Sequence, residues 1–190
     1  MTMSYNPRKA AQTIAFFAIK NSGRPINTLK AVKLVYLADR EAIALYGSPI
    51  QDERRVAMPL GPVNSTTYDF IKGEVPPQCD GGWSEVLSDR ESHTIGLADP
   101  SLNMDDLDEL SEAELQALEN VWDQFGQMTQ WQLVDFTHSS KNVPEWADPN
   151  GSSSTISLEA MMSALGCENA VNSAEEFRSL ARASEFLRGL

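Results

Sequence analysis

Residues 28–46 read TLKAVKLVYLADREAIALY. Set on a helical wheel, Leu29, Val32, Val35, Tyr36, Ala38, Ala42, Ile43, Leu45 and Tyr46 cover roughly 200°. That spacing predicts an α-helix over 28–46, with Gly47 as its C-terminal stop. Asp39 falls at the centre of the apolar arc. A buried carboxylate must be paired, hydrogen-bonded or protonated, so Asp39 reads as a structural anchor held by an arginine or a helix N-terminus, with a functional acid as the other reading. The opposite face carries Lys30, Lys33, Arg40 and Glu41, with Leu34 and Leu37 among them. Such a face is open surface, is covered by a small β element, or serves as a partner interface whose apolar anchors sit within a polar rim.

Working outward, the chain is helical on both sides. A first helix is predicted from about Pro7, tolerated in a first turn, to Asn21, with Gly23 and Pro25 ending it. Downstream, Arg55 to Met58 reads as extended, Pro59-Leu60-Gly61-Pro62 as a turn, and Ser65 to Lys72 as a short helix. In that turn Gly61 supplies a permissive backbone and the prolines fix the entry into the next helix. VPPQCDGG (75–82) is a loop. Residues 84–87 and 93–97, flanking 88–92, form the one predicted hairpin.

Ser111 with Glu114, Ser173 with Glu176 and, more loosely, Thr129 with Gln132 have capping-box spacing. Each precedes an apolar stripe: Leu115, Leu118, Trp122 and Phe125; Phe177, Leu180, Ser184 and Leu187; Trp131, Val134 and Phe136. DPNGSSST (148–155) reads as a flexible loop before a helix at about 158–165. No internal repeat is evident. The expected fold is mainly α, one domain over 1–190 with a small β-hairpin or short sheet, the helices of 156–190 packing on the rest.

Composition bounds the function. The 190 residues are 42% hydrophobic and 22% charged, a globular balance, with net charge −12. That excess of acid argues against a general nucleic-acid binder, which neutralises phosphates with Lys and Arg. Residues 1–60 hold nine bases and four acids, whereas 61–190 hold six bases and 23 acids. No base lies between Arg90 and Lys141, a run with eleven acids. It reads as a solubilising surface or one that steers a basic partner. Two cysteines are too few for a disulfide scaffold, and the apolar run 14–19 is too short for a signal peptide or a membrane span. A cytoplasmic setting without membrane attachment is expected.

Chemical motifs are sparse. Cys79, His93, His138 and Cys167 lack metal-ligand spacing, and nucleophile-elbow, P-loop and dinucleotide fingerprints are missing. No metal, cofactor or catalytic residue is therefore assigned. Carboxylates are abundant enough for a cleft pair, which keeps a carboxylate-based enzyme as a minor alternative. His138, ending a short helix before Pro144 and Trp146, reads as favouring the helix dipole.

The order of motifs is more specific than any one of them. KLVYLADRE (33–41) followed by Leu45-Tyr46-Gly47, then AMPLGPV (57–63) leading into TYDFIKG (67–73), then Leu110-Ser111 through Phe125, Leu133 to His138 and Trp146, resembles the Panacea domain of SocA-like antitoxins. The resemblance covers about residues 8 to 150. Lys33, Tyr36, Tyr46, Gly47, Pro59, Gly61, Pro62 and Tyr68 carry it. Relatives often have His where this chain has Leu60, and an uncharged polar side chain where it has Asp39.

The resemblance implies a mainly helical domain without known catalytic residues that neutralises a cognate protein toxin, encoded by the adjacent gene. Neutralisation is by direct contact or, in one branch, by delivering the toxin to an ATP-dependent protease. Some members add a DNA-binding segment; this chain shows no basic helix-turn-helix extension. Lys33, Leu37, Arg40, Glu41 and Leu60 are the expected toxin contacts, and Asp39 and His138 the buried structural polar groups.

Overall fold

The computed structural model of the chain describes residues 5–188. The Asn6 side chain accepts from Lys9 N and starts α1 (Pro7–Lys20). After β1 (Ile26–Asn27), the Asn27 side chain caps α2 (Thr28–Tyr46) by accepting from Lys30 N, and Gly47 closes that helix at φ 76°. β2 (Arg55–Met58) and β3 (Gly61–Asn64) form an antiparallel hairpin through the two-residue turn Pro59-Leu60, with Met58 opposite Gly61. α3 (Ser65–Lys72), β4 (Thr94–Ile95), α4 (Glu112–Phe125) and α5 (Gln130–His138) follow. β5 (Ser154–Ile156), α6 (Leu158–Ala164) and α7 (Ala170–Arg188) end the described chain.

Every residue from Ala31 to Asp39 is buried. α2 is thus enclosed on all sides, packed by α1, α3, α4, α5, α6 and the hairpin, which is how a helix with apolar residues all round is accommodated. Leu34 and Leu37, on its apparently charged face, are core residues. One cluster joins them to Phe17 of α1 and to Leu118, Val121 and Trp122 of α4. A second gathers Tyr36 and Ile43 of α2 with Met161, Met162, Ala170 and Ala174 of the last two helices. The mainly α class with a short sheet is the observed architecture.

Several sequence expectations need correction. The hairpin is formed by 55–64, not by 84–97. β4 instead pairs antiparallel with β1, and 84–97 retains only isolated bridges such as Leu87 with Leu97. Ser154–Ile156, read as loop, is the third strand, pairing with β2 in the order β3-β2-β5. Ser173 does not cap α7. The helix begins a turn earlier, and Ser173 N already donates to Asn169 O. Its packing face is Ala170, Ala174 and Phe177, with Leu180 exposed; the side chains of Ser184 and Leu187 lie outside the described residues. Trp131, Leu45 and Tyr46, expected on apolar stripes, are exposed. The two capping boxes at Ser111/Glu114 and Thr129/Gln132 are both formed.

The charge asymmetry along the chain is partly cancelled in space. Bases of α1 meet acids from the base-free run: Lys9 pairs with Glu114 at 2.5 Å, Lys20 with Glu119 at 2.5 Å, and Arg8 approaches Asp108 at 3.6 Å. Among the described residues no helix is long and apolar enough to cross a membrane.

Candidate functional site

Three polar groups on α2, each three residues from the next, fasten the rest of the fold to it. Asp39, 1% exposed, is the most connected. Its Oδ2 accepts from Arg55 Nη2 at 2.5 Å, Arg55 Nε at 3.1 Å and Asn64 Nδ2 at 2.9 Å. Its Oδ1 accepts from Ile50 N at 3.0 Å and Gln51 N at 3.4 Å. Arg55 also donates to the carbonyls of Gln51 and Glu53. Burial alone lowers the guanidinium pKa, but the Asp39 carboxylate, with Glu53 and Tyr36, offsets this and raises it above the ordinary arginine value. The loop after α2 and the first hairpin strand are therefore held by one carboxylate.

Glu53 continues the network. It is buried and accepts from Thr67 N at 2.9 Å and Thr67 Oγ1 at 2.7 Å, while Asn64 Nδ2 reaches it at 3.2 Å. Thr67 lies in the first turn of α3, whose N-cap residue, Asn64, makes no side-chain capping bond. Glu53 thus supplies from a distant loop the acceptor that a local cap ordinarily provides, because the Asn64 amide is turned to the two carboxylates. Burial raises Glu53 to about 7 despite the opposing bonds from Thr67.

Lys33 is fully buried, and its Nζ donates to Pro62 O at 2.9 Å. Desolvation lowers its pKa to about 7. Gly61 explains the fit. It sits at φ 96°, and a Cβ there would fall 2.7 Å from Thr137 Oγ1 and 2.9 Å from Lys33 Nζ. The glycine of the turn is required by a close approach of hairpin, α2 and α5 as well as by its backbone angle. Gly61→Ala should cost about 1 to 3 kcal/mol in urea unfolding. Gly47→Ala, also at positive φ but with nothing within 4 Å of its Cβ, should cost less.

The third group is Tyr36, whose hydroxyl donates to Glu145 Oε1 at 2.9 Å, the same oxygen that takes Arg40 Nε at 2.8 Å. The Glu145 side chain has no exposed area. Next to it, Trp146 Nε1 donates to Met58 O at 3.3 Å and the indole stacks on His138, ring centroids 4.3 Å apart. Burial, with the Lys33 charge, lowers the His138 pKa. Its ring contact is the stacked indole of Trp146 at the last turn of α5.

The expected contact residues divide. Lys33 is enclosed and Leu37 is 3% exposed, so neither reaches a surface that the folded protein presents; α4, α5 and the hairpin cover the face that carries them. Arg40 and Glu41 are half-buried, engaged by Glu145 and Asn120. Leu60, at the hairpin tip, is 47% exposed. Of the signature residues, Tyr36, Gly61 and Pro62 are buried with Lys33, whereas Pro59 and Tyr46 are exposed and Tyr68 is half-buried beneath Lys72, 4.6 Å from its ring centre. Sequence reasoning missed Glu53, Arg55, Asn64, Thr137 and Glu145; of these, Thr137 alone continues a helical stripe, three and four residues after Val134 and Leu133. It also placed Trp131 inward, although it is 58% exposed.

The site built by these residues is a platform. Lys33 and Thr137 close on Gly61 from below, Trp146 holds Met58, and the Leu60 turn projects above. α5 runs from exposed Trp131 to His138 at its other end, where the turn leans on it. No curated protein and no solved structure matches the chain. A family model, described as antitoxin SocA-like, Panacea domain, matches residues 32–147. The match begins at α2 rather than near residue 8, spans the hairpin, α4 and α5, and ends just after Glu145 and Trp146. With more than half of its length matched, and with the whole Lys33–Gly61–Glu145 framework inside the match, the chain belongs to the Panacea-domain family of SocA-like antitoxins.

Proposed function

We propose that the protein neutralises a protein toxin by direct, stoichiometric binding, with Leu60 and Trp131 as surface anchors. Membership of an antitoxin family is the observation that carries the reading, and the platform supports the choice of surface. Binding energy concentrates in a few apolar and aromatic anchors set in rigid surroundings. Leu60 stands on a two-residue turn fixed from beneath by Lys33, Thr137 and Trp146, and Trp131 on the first turn of the helix that buttresses it. Lys33, Leu37 and Asp39 act in this reading through the shape they impose. Arg40 and Glu41 border the surface.

Co-expression with the product of the adjacent reading frame, followed by size exclusion, tests the proposal. A stable complex should elute, and Leu60→Asp and Trp131→Ala should each weaken it by roughly tenfold or more, about 1.4 kcal/mol, with unchanged melting temperature. Neutralisation at sub-stoichiometric amounts with no surviving complex would instead indicate delivery to a protease.

A further inference from the structure

On the side of the molecule formed by α1 and α4 there is a groove of about 410 Å³. Phe16, Met104 and Leu115 make an apolar floor, and Lys20, Glu112, Gln116 and Glu119 stand at its rim. The α4 wall is the row 112, 115, 116 and 119, spaced i, i+3, i+4 and i+7, which runs about 10 Å along the helix axis. This row lies beside the stripe that packs the core, Leu118, Val121, Trp122 and Phe125. Leu115 belongs to both settings: it touches the core and is only partly covered.

The charges around the groove select its occupant. Among the described residues Lys20 is the one ammonium at the rim, and it is paired with Glu119. Glu112 is exposed and has no ion-pair partner among the described residues. Asp105 and Asp106 sit on the short turn that supplies Met104. One ammonium against four carboxylates leaves the surroundings negative, and the wall comes from the run that contains no base. A second copy of this chain, with net charge −12, is a poor match for such a rim.

We infer that the α1–α4 groove is a docking site for an amphipathic helical segment of a protein partner, with two apolar side chains one turn apart and lysine or arginine beside them. Two turns of exposed wall with an apolar floor are what helix-in-groove recognition uses, and the acidic rim favours encounter with a basic segment. The inference rests on the toxin-binding reading for the identity of the partner, but the groove can be tested without it.

The probe is a synthetic amphipathic peptide of about 15 residues, with leucines four apart flanked by lysines, compared with a version carrying glutamates instead. Methyl NMR of the intact protein should show saturable shifts at Met104 and Leu115 with the basic peptide and at least about tenfold weaker binding of the acidic one. Glu112→Lys and Gln116→Trp, both at exposed rim positions, should each weaken the basic peptide by about tenfold; Gln116→Trp should leave the melting temperature unchanged, whereas Glu112→Lys, in the first turn of α4, should lower it slightly. Absence of a saturable shift, equal binding of the two peptides, or unchanged affinity in Gln116→Trp would overturn the inference. So would a dimer in sedimentation that Gln116→Trp converts to monomer, since the groove would then belong to a second copy. Loss of toxin neutralisation by the wild-type protein while the peptide still docks would count against the antitoxin reading alone.

Discussion

Asp39→Ala should lower the unfolding free energy by about 3 to 5 kcal/mol, among the largest effects of any single substitution in this chain. Removing the carboxylate leaves Arg55 charged, 3% exposed, and without the anion that holds it. It also strips acceptors from Ile50 N, Gln51 N and the Asn64 amide. Breaking a buried pair costs far more than the pair contributes, because one charge remains uncompensated. Removing both partners should therefore be milder: Asp39→Leu combined with Arg55→Met should recover much of the loss. Urea unfolding of the three variants measures this, and a double variant as unstable as the single one would show that the packing, not the orphaned charge, dominates. Neutralisation per folded molecule should stay unchanged in Asp39→Ala, since Asp39 lies beneath the surface. A variant that melts normally yet fails to neutralise would place Asp39 at the working surface instead.

The helical part of this fold was legible because its signals are local. The periodicity of 28–46 gives α2 its observed ends, and the boxes at Ser111 and Thr129 start α4 and α5 where the spacing says. The sheet was misread because its strands are two to four residues long and pair across the chain. β4 joins a strand about seventy residues earlier, and β5 joins one about a hundred residues before it, so no local alternation marks either. Lys33, Arg40 and Glu41 looked like a solvated face for a related reason. Each charge is satisfied or covered by a residue distant in sequence, Pro62, Glu145 and Asn120, and a helical wheel contains no such partner. Asp39 was legible as a buried acid needing donors, but Glu53 and Glu145 were not, because they lie in irregular segments where periodicity carries no information. The acidic run was visible, whereas its partial neutralisation by α1 was not.

Stability should pass through a minimum near neutral pH, the reverse of the usual dome. Two buried groups produce it. Glu53 holds its proton to about 7 in the folded chain, against 4.5 unfolded. Between those values the folded state binds more protons, so stability falls as pH rises, on the order of 3 kcal/mol over the interval. Lys33 has the opposite sign: it releases its proton at about 7 when folded and at 10.5 when unfolded. Above 7 the unfolded state binds more protons, so stability climbs with pH, by on the order of 5 kcal/mol once the unfolded value is reached. His138, lowered by burial, works against Glu53 just below its ordinary value of 6.5 and makes the acid limb the shallower one. Tyr5, raised by burial, turns the curve down again once unfolded tyrosine ionises above 10. Urea midpoints measured from about pH 4.5 to 9.5 should therefore trace a valley. Glu53→Gln, which can still accept from Thr67, should flatten its acid side and leave the alkaline rise. Lys33→Met should remove the rise and leave the acid side. A wild-type maximum at neutral pH would mean that the folded chain keeps Glu53 ionised and Lys33 protonated together, each stabilised by groups beyond the contacts that now surround it.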